Sequence, residues 1–204
     1  AKSSPSLPTS GSGRWLFAIG ASAGGPAALA DLLGTLPPNL SIPIVIIQHL
    51  DETFAKGLAE WLGGQTPLQV KIANENDLPT PGVVYLPGRA DHLVLTSSGR
   101  LSYTAEPIHT AYRPSVDVFF ESVVNHWKAN AVGVILTGMG RDGARGLKLM
   151  RDRGFPTIAQ DRESSAVYGM PKAAAELGAA AKILPLTKIG SALMQLPSAT
   201  LISP

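Results

Sequence analysis

Residues 15–26 read Trp15-Leu16-Phe17-Ala18-Ile19-Gly20-Ala21-Ser22-Ala23-Gly24-Gly25-Pro26. Five apolar residues in succession, closed by a glycine, fit a strand buried on both faces. Proline suits the first turn of a helix, because its missing N–H would have no intrahelical partner there. The stretch therefore predicts a strand over Trp15–Ile19, a tight Gly-rich turn, and a helix from Pro26 to Leu33. A strand feeding a helix through a short turn is the opening unit of an α/β fold.

The same alternation continues outward along the chain. Pro43–Gln48 (PIVIIQ) is a second β-branched run, and Thr53–Leu62 has helical periodicity. Val70–Ile72, Val83–Leu86 and His92–Thr96 read as short strands, and Leu101–Tyr103 pairs with the last through a turn at Ser97–Arg100. Ser115 is a good N-cap for a helix from Val116 to Lys128. Val132–Leu136, Thr157–Gln160 and Ile183–Leu184 read as strands. Ala144–Arg153, Pro171–Leu177 and Ile189–Leu196 read as helices. The expected fold is α/β: a doubly wound, mostly parallel sheet flanked by helices, with an antiparallel hairpin addition in the Val83–Tyr103 region. Residues 1–13 (AKSSPSLPTSGSG) read as a linker or disordered tail, residues 14–197 as one domain, and residues 198–204 as a C-terminal tail.

Composition narrows the function classes. The 204 residues are 45% hydrophobic and 16% charged, with a net charge of +2 and no basic run. That is the make-up of a globular domain and gives no footing for nucleic-acid binding. Without cysteine there are no disulfides, no thiolate chemistry and no Cys-ligated metal. No apolar run approaches the ~18–20 residues that span a bilayer, and the start has no apolar signal-peptide core. A monomeric cytoplasmic protein, not inserted in a membrane, is expected, with no metal and no cofactor.

In doubly wound sheets, ligands sit beyond the carboxyl ends of the strands. Three such loops carry unusual residues. Gly20–Gly24 matches G-x-S-x-G, in which a sharp strand-to-helix turn pushes a serine, here Ser22, into a cleft. The following helix N-terminus offers free N–H groups to developing negative charge. A phosphate-binding turn and a plain tight turn are the other readings. The spacing is not G-x-G-x-x-G, and the second strand ends in Gln48-His49 rather than in an acidic residue.

His49 lies at that second strand end, on the ligand-facing edge. His92, His109 and His126 are alternatives; His92 begins a strand, His126 sits within a helix, and His109 lies in a polar loop. The third loop, Thr137-Gly138-Met139-Gly140-Arg141-Asp142-Gly143, sets three glycines around one carboxylate. Asp142 reads either as a site residue or as the N-cap of the next helix. A hydroxyl, an imidazole and a carboxylate on one sheet edge are the set that acyl transfer needs. Their order, Ser, His, Asp, differs from the Ser, Asp, His of α/β-hydrolases.

AIGASAGGPAAL, IIQHL with Phe54 beyond it, YRPSVDVFF, VILTGMGRDGARG, Gln160 and YGMPKAA follow one another in the chain. Together they resemble the catalytic domain of the chemotaxis protein-glutamate methylesterases, from about Trp15 to Leu196. The resemblance implies a triad of Ser22, His49 and Asp142 and an oxyanion hole using the Met139 N–H. It implies hydrolysis of γ-glutamyl methyl esters on the cytoplasmic helices of chemoreceptors, with release of methanol, and deamidation of receptor glutamines. It also implies a receiver domain in the full-length protein, for which the Ser/Pro-rich start would be the linker. Two departures stand out. Ala23 follows the nucleophile where threonine is usual, which removes a hydroxyl from the oxyanion region. Leu50-Asp51 follows His49 where Met-Pro is common, placing an extra carboxylate nearby. Arg113 and Arg89, with Ala23, are the candidate substrate contacts.

Overall fold

A computed structural model describes the backbone of residues 14–200 and the side chains of residues 14–196. The stretch that opens the chain's pattern forms β1 (Trp15–Ala21), buried at every position, and α1 (Gly25–Gly34). There follow β2 (Ile44–Gln48), α2 (Glu52–Gly63), β3 (Gln69–Ile72), β4 (Val83–Leu86), β5 (His92–Leu95) and β6 (Leu101–Thr104). The second half holds α3 (Val116–His126), β7 (Asn130–Ile135), α4 (Ala144–Asp152), β8 (Thr157–Gln160), α5 (Met170–Glu176), β9 (Lys182–Leu184) and α6 (Leu186–Thr200).

Seven strands form one parallel sheet in the order β3-β4-β2-β1-β7-β8-β9. The period of two along each strand sends alternate residues to opposite layers. Leu16 and Ala18 of β1 pack with Phe119, Phe120, Leu147 and Met170 from α3, α4 and α5. Phe17, Ile19 and Ala21 pack with Leu29, Leu33, Leu62 and Ile189 from α1, α2 and α6. This is the doubly wound arrangement expected from the sequence. The chain leaves β1 toward β2 and leaves β7 toward β8, so a crevice opens between the carboxyl ends of β1 and β7. Ligands bind at such a switch point.

One expectation changes. The antiparallel addition is only the hairpin β5–β6, paired from His92↔Thr104 to Leu95↔Leu101. Val83–Leu86 instead lies inside the main sheet, parallel to both β2 and β3. Its four residues are all buried, the pattern of a strand covered on both faces rather than of an exposed hairpin. Helix boundaries also shift. α3 ends at His126, where Trp127 turns extended and its indole donates to the Asn130 carbonyl at 2.9 Å. α6 begins at Leu186 and continues through Thr200. Residues 198–200, expected in the C-terminal tail, continue α6, and the readings of residues 1–13 and 201–204 lie outside the described residues. Among the described residues no helix is long and apolar enough to cross a membrane.

Candidate active site

The turn after β1 is fastened from three sides. The Ser22 N–H donates to the Thr137 carbonyl at 3.0 Å, and the Gly25 N–H donates back to the Ser22 carbonyl at 2.7 Å. Gly24 caps α1 at φ +77°, a conformation that costs a side chain energy. Gln48, buried at the end of β2, donates its amide to the carbonyls of Ser22 (2.9 Å) and His49 (3.0 Å). The His49 N–H in turn donates to the Ala21 carbonyl at 3.0 Å. The backbones that carry Ser22 and His49 are thus locked side by side, while the Ser22 side chain is left partly exposed.

His49 meets Asp142 through its outer ring nitrogen: Nε2 lies 2.7 Å from Oδ2, with side-chain exposures of 8% and 9%. Asp142 is not the cap of its own helix. Gly143 takes that position at φ +89°, with no side-chain cap. Asp142 instead reaches across to the start of α3. There it accepts from the Val116 N–H (2.7 Å, Oδ2), the Asp117 N–H (3.1 Å, Oδ1) and the Ser115 hydroxyl (2.8 Å, Oδ1). Burial pushes the Asp142 carboxyl up. The bonds from His49, Val116, Asp117 and Ser115 outweigh it and hold the acid below its ordinary value. An ionised carboxylate only accepts, so Nε2 carries the imidazole proton and Nδ1 keeps the lone pair. Nδ1 is buried and, among the described residues, has no hydrogen-bond partner.

The third loop packs directly on the first. Gly138 approaches Ser22 so closely that a Cβ added there would stand 2.8 Å from Ser22 Cβ. The hydroxyl of Thr137 donates to the Ala23 carbonyl (2.9 Å) and accepts from the Val167 N–H (2.8 Å). The Thr137 N–H is held by Gln160 Oε1 at 2.8 Å. The Gly138 carbonyl accepts from the N–H groups of Gly169 (3.1 Å) and Met170 (2.8 Å). Among the described residues, the N–H groups of Met139 and Ala23 are not donated to any protein acceptor, whereas that of Ser22 is spent on Thr137. The Met139 side chain is 63% exposed beside the loop.

The structure brings Ser22, His49, Asp142, Met139 and Ala23 to one edge, with Arg113 and Arg89 beside it but bonded to other groups, and leaves the remaining candidates elsewhere. Arg89 stacks on Tyr103, 4.6 Å from the ring centroid, and lies 3.5 Å from Glu75. Arg113 is exposed and donates to the Ile108 carbonyl at 2.9 Å. Asp51 caps α2, accepting from the N–H (2.9 Å) and hydroxyl (2.6 Å) of Thr53, and those bonds hold its carboxyl low. His109 is exposed, and His126 ends α3 at the pole far from the site. His92 is fully buried: Nδ1 accepts from the Ser115 N–H (3.1 Å), and Nε2 lies 3.1 Å from the Pro107 carbonyl. Among the described residues no group of three His, Asp or Glu side chains could hold a metal ion.

Sequence reasoning did not assign roles to Gln48, Thr137, Ser115 as a partner of Asp142, or Tyr112. The Tyr112 ring lies flat on His49, with centroids 4.0 Å apart and planes 3° from parallel. Gln48 carried a visible signal, a polar residue closing an otherwise apolar run. Tyr112 opens the YRPSVDVFF motif, which marks the stretch but not the ring's contact, because His49 is remote in sequence.

A hydroxyl on a tight turn, a buried imidazole–carboxylate pair and two free N–H groups form a set able to carry out acyl transfer. Known proteins agree. The CheB methylesterase family model matches residues 17–193. A Cupriavidus metallidurans protein named protein-glutamate methylesterase/protein-glutamine glutaminase 2 is 63% identical over 179 residues, covering 88% of this chain and 53% of that protein. A Pseudomonas fluorescens protein named protein-glutamate methylesterase/protein-glutamine glutaminase 1 is 56% identical over 193 residues, covering 94% of this chain and 57% of the other. The chain thus spans about half the length of the curated relatives it matches. The crystal structure of the Thermotoga maritima CheB methylesterase catalytic domain superposes with a TM-score of 0.83 at 36% identity, covering 91% of this chain and 99% of that one. Sequence, sheet order and site converge: the chain belongs to the CheB methylesterase family.

Proposed function

We propose that this chain is a serine hydrolase acting on γ-glutamyl methyl esters of methyl-accepting chemoreceptors, releasing methanol, and that it also deamidates receptor glutamines. The observation that carries the reading is the 2.7 Å His49–Asp142 pair beside the Ser22 turn, in a chain 63% identical to a protein named for both activities. Family membership favours hydrolysis over the nucleotide-binding reading of the same turn and over a binding module without turnover.

In this reading Ser22 Oγ attacks the γ-carbonyl and gives its proton to His49 Nδ1. Nδ1 is the ring nitrogen nearer the backbone, and the His49 backbone is bonded to the residue before Ser22. Asp142 then accepts from Nε2–H of an imidazolium rather than of a neutral ring, which strengthens the bond as the transition state forms. The unspent N–H groups of Met139 and Ala23 receive the oxyanion, so Ala23 contributes through its main chain. Methanol departs with the proton held on Nδ1, or ammonia does when a glutamine is the substrate. Water, activated by the same nitrogen, frees the glutamate from Ser22. Arg113, exposed next to Tyr112, contacts the receptor helix. Arg89, tied to Glu75 and Tyr103, does so at the periphery. The enzyme works in the cytoplasm, with the receptor helices and a receiver domain as partners.

Methanol release from methylated receptor, compared between the wild type and Ser22→Ala, tests this reading. Loss in the variant is expected, and undiminished release would overturn it.

A further inference from the structure

His49 is held at only one of its ring nitrogens. A single bond from Nε2 to Asp142 fixes one point of the ring but restrains rotation about the Cβ–Cγ bond only weakly, because Nε2 lies close to that axis. Nδ1, the nitrogen that must meet Ser22, has no bond of its own. Something else must fix the plane of the imidazole. The group in contact with its face is the Tyr112 ring, 4.0 Å away and 3° from parallel.

The loop carrying Tyr112 is itself anchored. The Tyr112 carbonyl accepts from the Thr110 hydroxyl at 2.9 Å. The preceding Pro107 carbonyl lies 3.1 Å from His92 Nε2, and His92 Nδ1 accepts from Ser115, a partner of Asp142. Tyr112 Oη also rests over Gly140, where an added Cβ would stand 2.7 Å from it. The ring therefore lies flat on the imidazole while its hydroxyl end sits at Gly140 of the 137–143 loop. A flat aromatic face also favours a cation above it, so the stack is worth more when the imidazole is protonated than when it is neutral.

We propose that Tyr112 is a positioning residue: its ring fixes the plane of His49 so that Nδ1 faces Ser22, and it stabilises the imidazolium formed as Ser22 attacks. The inference rests on the reading of Ser22 as nucleophile and His49 as base. The action belongs to the ring, not to the hydroxyl. It concerns the rate of attack rather than the affinity for substrate.

The test uses two readouts on the same preparations: the rate at which an alkyl fluorophosphonate labels Ser22, and kcat and KM for methanol release from methylated receptor. Tyr112→Phe keeps the ring and is expected to retain labelling and kcat within a few-fold. Tyr112→Ala is expected to lose about 10- to 100-fold in both, the scale of a misplaced catalytic group, with little change in KM. Tyr112→Leu keeps apolar bulk without a ring; it is expected to fold like the wild type and to be as slow as Tyr112→Ala. Labelling at the wild-type rate by Tyr112→Ala or Tyr112→Leu would overturn the proposal. So would a Tyr112→Phe variant as slow as either, or a loss confined to KM. Wild-type labelling of Ser22 without any methanol release would instead count against the receptor-ester substrate and leave the positioning role standing.

Discussion

Asp142 Oδ2 accepts the Val116 N–H at 2.7 Å, the same distance at which it receives His49 Nε2. One carboxylate oxygen therefore serves a helix end and an imidazole together. The first turn of α3 presents free N–H groups and the positive end of the helix dipole. Asp142 fills that position from another loop, while Ser115, the N-cap of α3, adds its hydroxyl. The bond from His49 and the bonds from the helix end hold the Asp142 acid low, and an ionised Asp142 leaves the lone pair of His49 on Nδ1, the base of the proposed mechanism.

Asp142→Asn is expected to cost stability as well as activity. An amide NH₂ would face N–H donors, and one or more of the α3 groups would go unpaired, a loss of about 1–3 kcal/mol. Activity should fall further, by about 10⁴-fold as for the same change in a serine-protease triad, because the wrong tautomer of His49 is then favoured. Denaturant unfolding alongside methanol release separates the two effects.

The dependence on pH has a definite sign. Asp142 is held below its ordinary 3.8 in the fold, so its contribution is complete above 3.8 and disappears as the pH falls through the lower folded value. Asp117 behaves oppositely. Burial first, and then the nearby Asp142 charge, raise its carboxyl despite the bond it accepts from Gly146. The penalty it imposes at neutral pH is therefore relieved as the pH falls through its raised value. In unfolding titrations from neutral to about pH 3, the advantage of the wild type over Asp142→Asn should shrink, while its standing relative to Asp117→Asn should improve.

Gly138→Ala should disable the site without unfolding the domain. The new methyl would press on Ser22 Cβ, at 2.8 Å, and on Met170 Sδ. Relief by moving Ser22 displaces the proposed nucleophile, and a shift of that size can cost about 10²-fold in rate. Fluorophosphonate labelling of Ser22 should slow accordingly while the far-ultraviolet circular dichroism stays unchanged.

Thr137 ties the first loop to the third and to residue 167. Thr137→Val removes the hydroxyl and leaves the Ala23 carbonyl and the Val167 N–H without their partner, a cost of about 1–3 kcal/mol for a buried group. Thr137→Ser, which keeps the hydroxyl, should recover most of both stability and rate. Thermal melting and labelling kinetics on the two variants check this.

Arg113→Ala should raise KM for methylated receptor while leaving fluorophosphonate labelling of Ser22 at the wild-type rate. Among the described residues the guanidinium donates only to the Ile108 carbonyl and makes no hydrogen bond to the Ser22, His49 or Asp142 side chains.

Much of this was legible in the sequence, for a physical reason. Strands buried on both faces must be apolar throughout, so WLFAI, IVII and VGVI stand out, and the turns after them had to hold the polar chemistry. The correspondence failed where partners are distant. Asp142 reads either as a site residue or as the cap of its own helix, and the sequence does not show that its partners besides His49 lie at the start of α3, 25–27 residues away. Val83–Leu86 reads with the hairpin because it is near it in the chain, although its unbroken apolar pattern fits the main sheet. Gln48 and Gln160 each close a buried strand and each spend their amides on the loops around Ser22, a role that needs the folded geometry to be seen.

In the proposed mechanism Ser22 is the nucleophile of a glutamyl methylesterase, served by His49 and Asp142. Methanol released from methylated chemoreceptor by the wild type, Ser22→Ala, His49→Ala and Asp142→Asn decides it. Release is expected from the wild type and only near-background release from the three variants, each still folded. Release by Ser22→Ala at the wild-type rate would overturn the assignment.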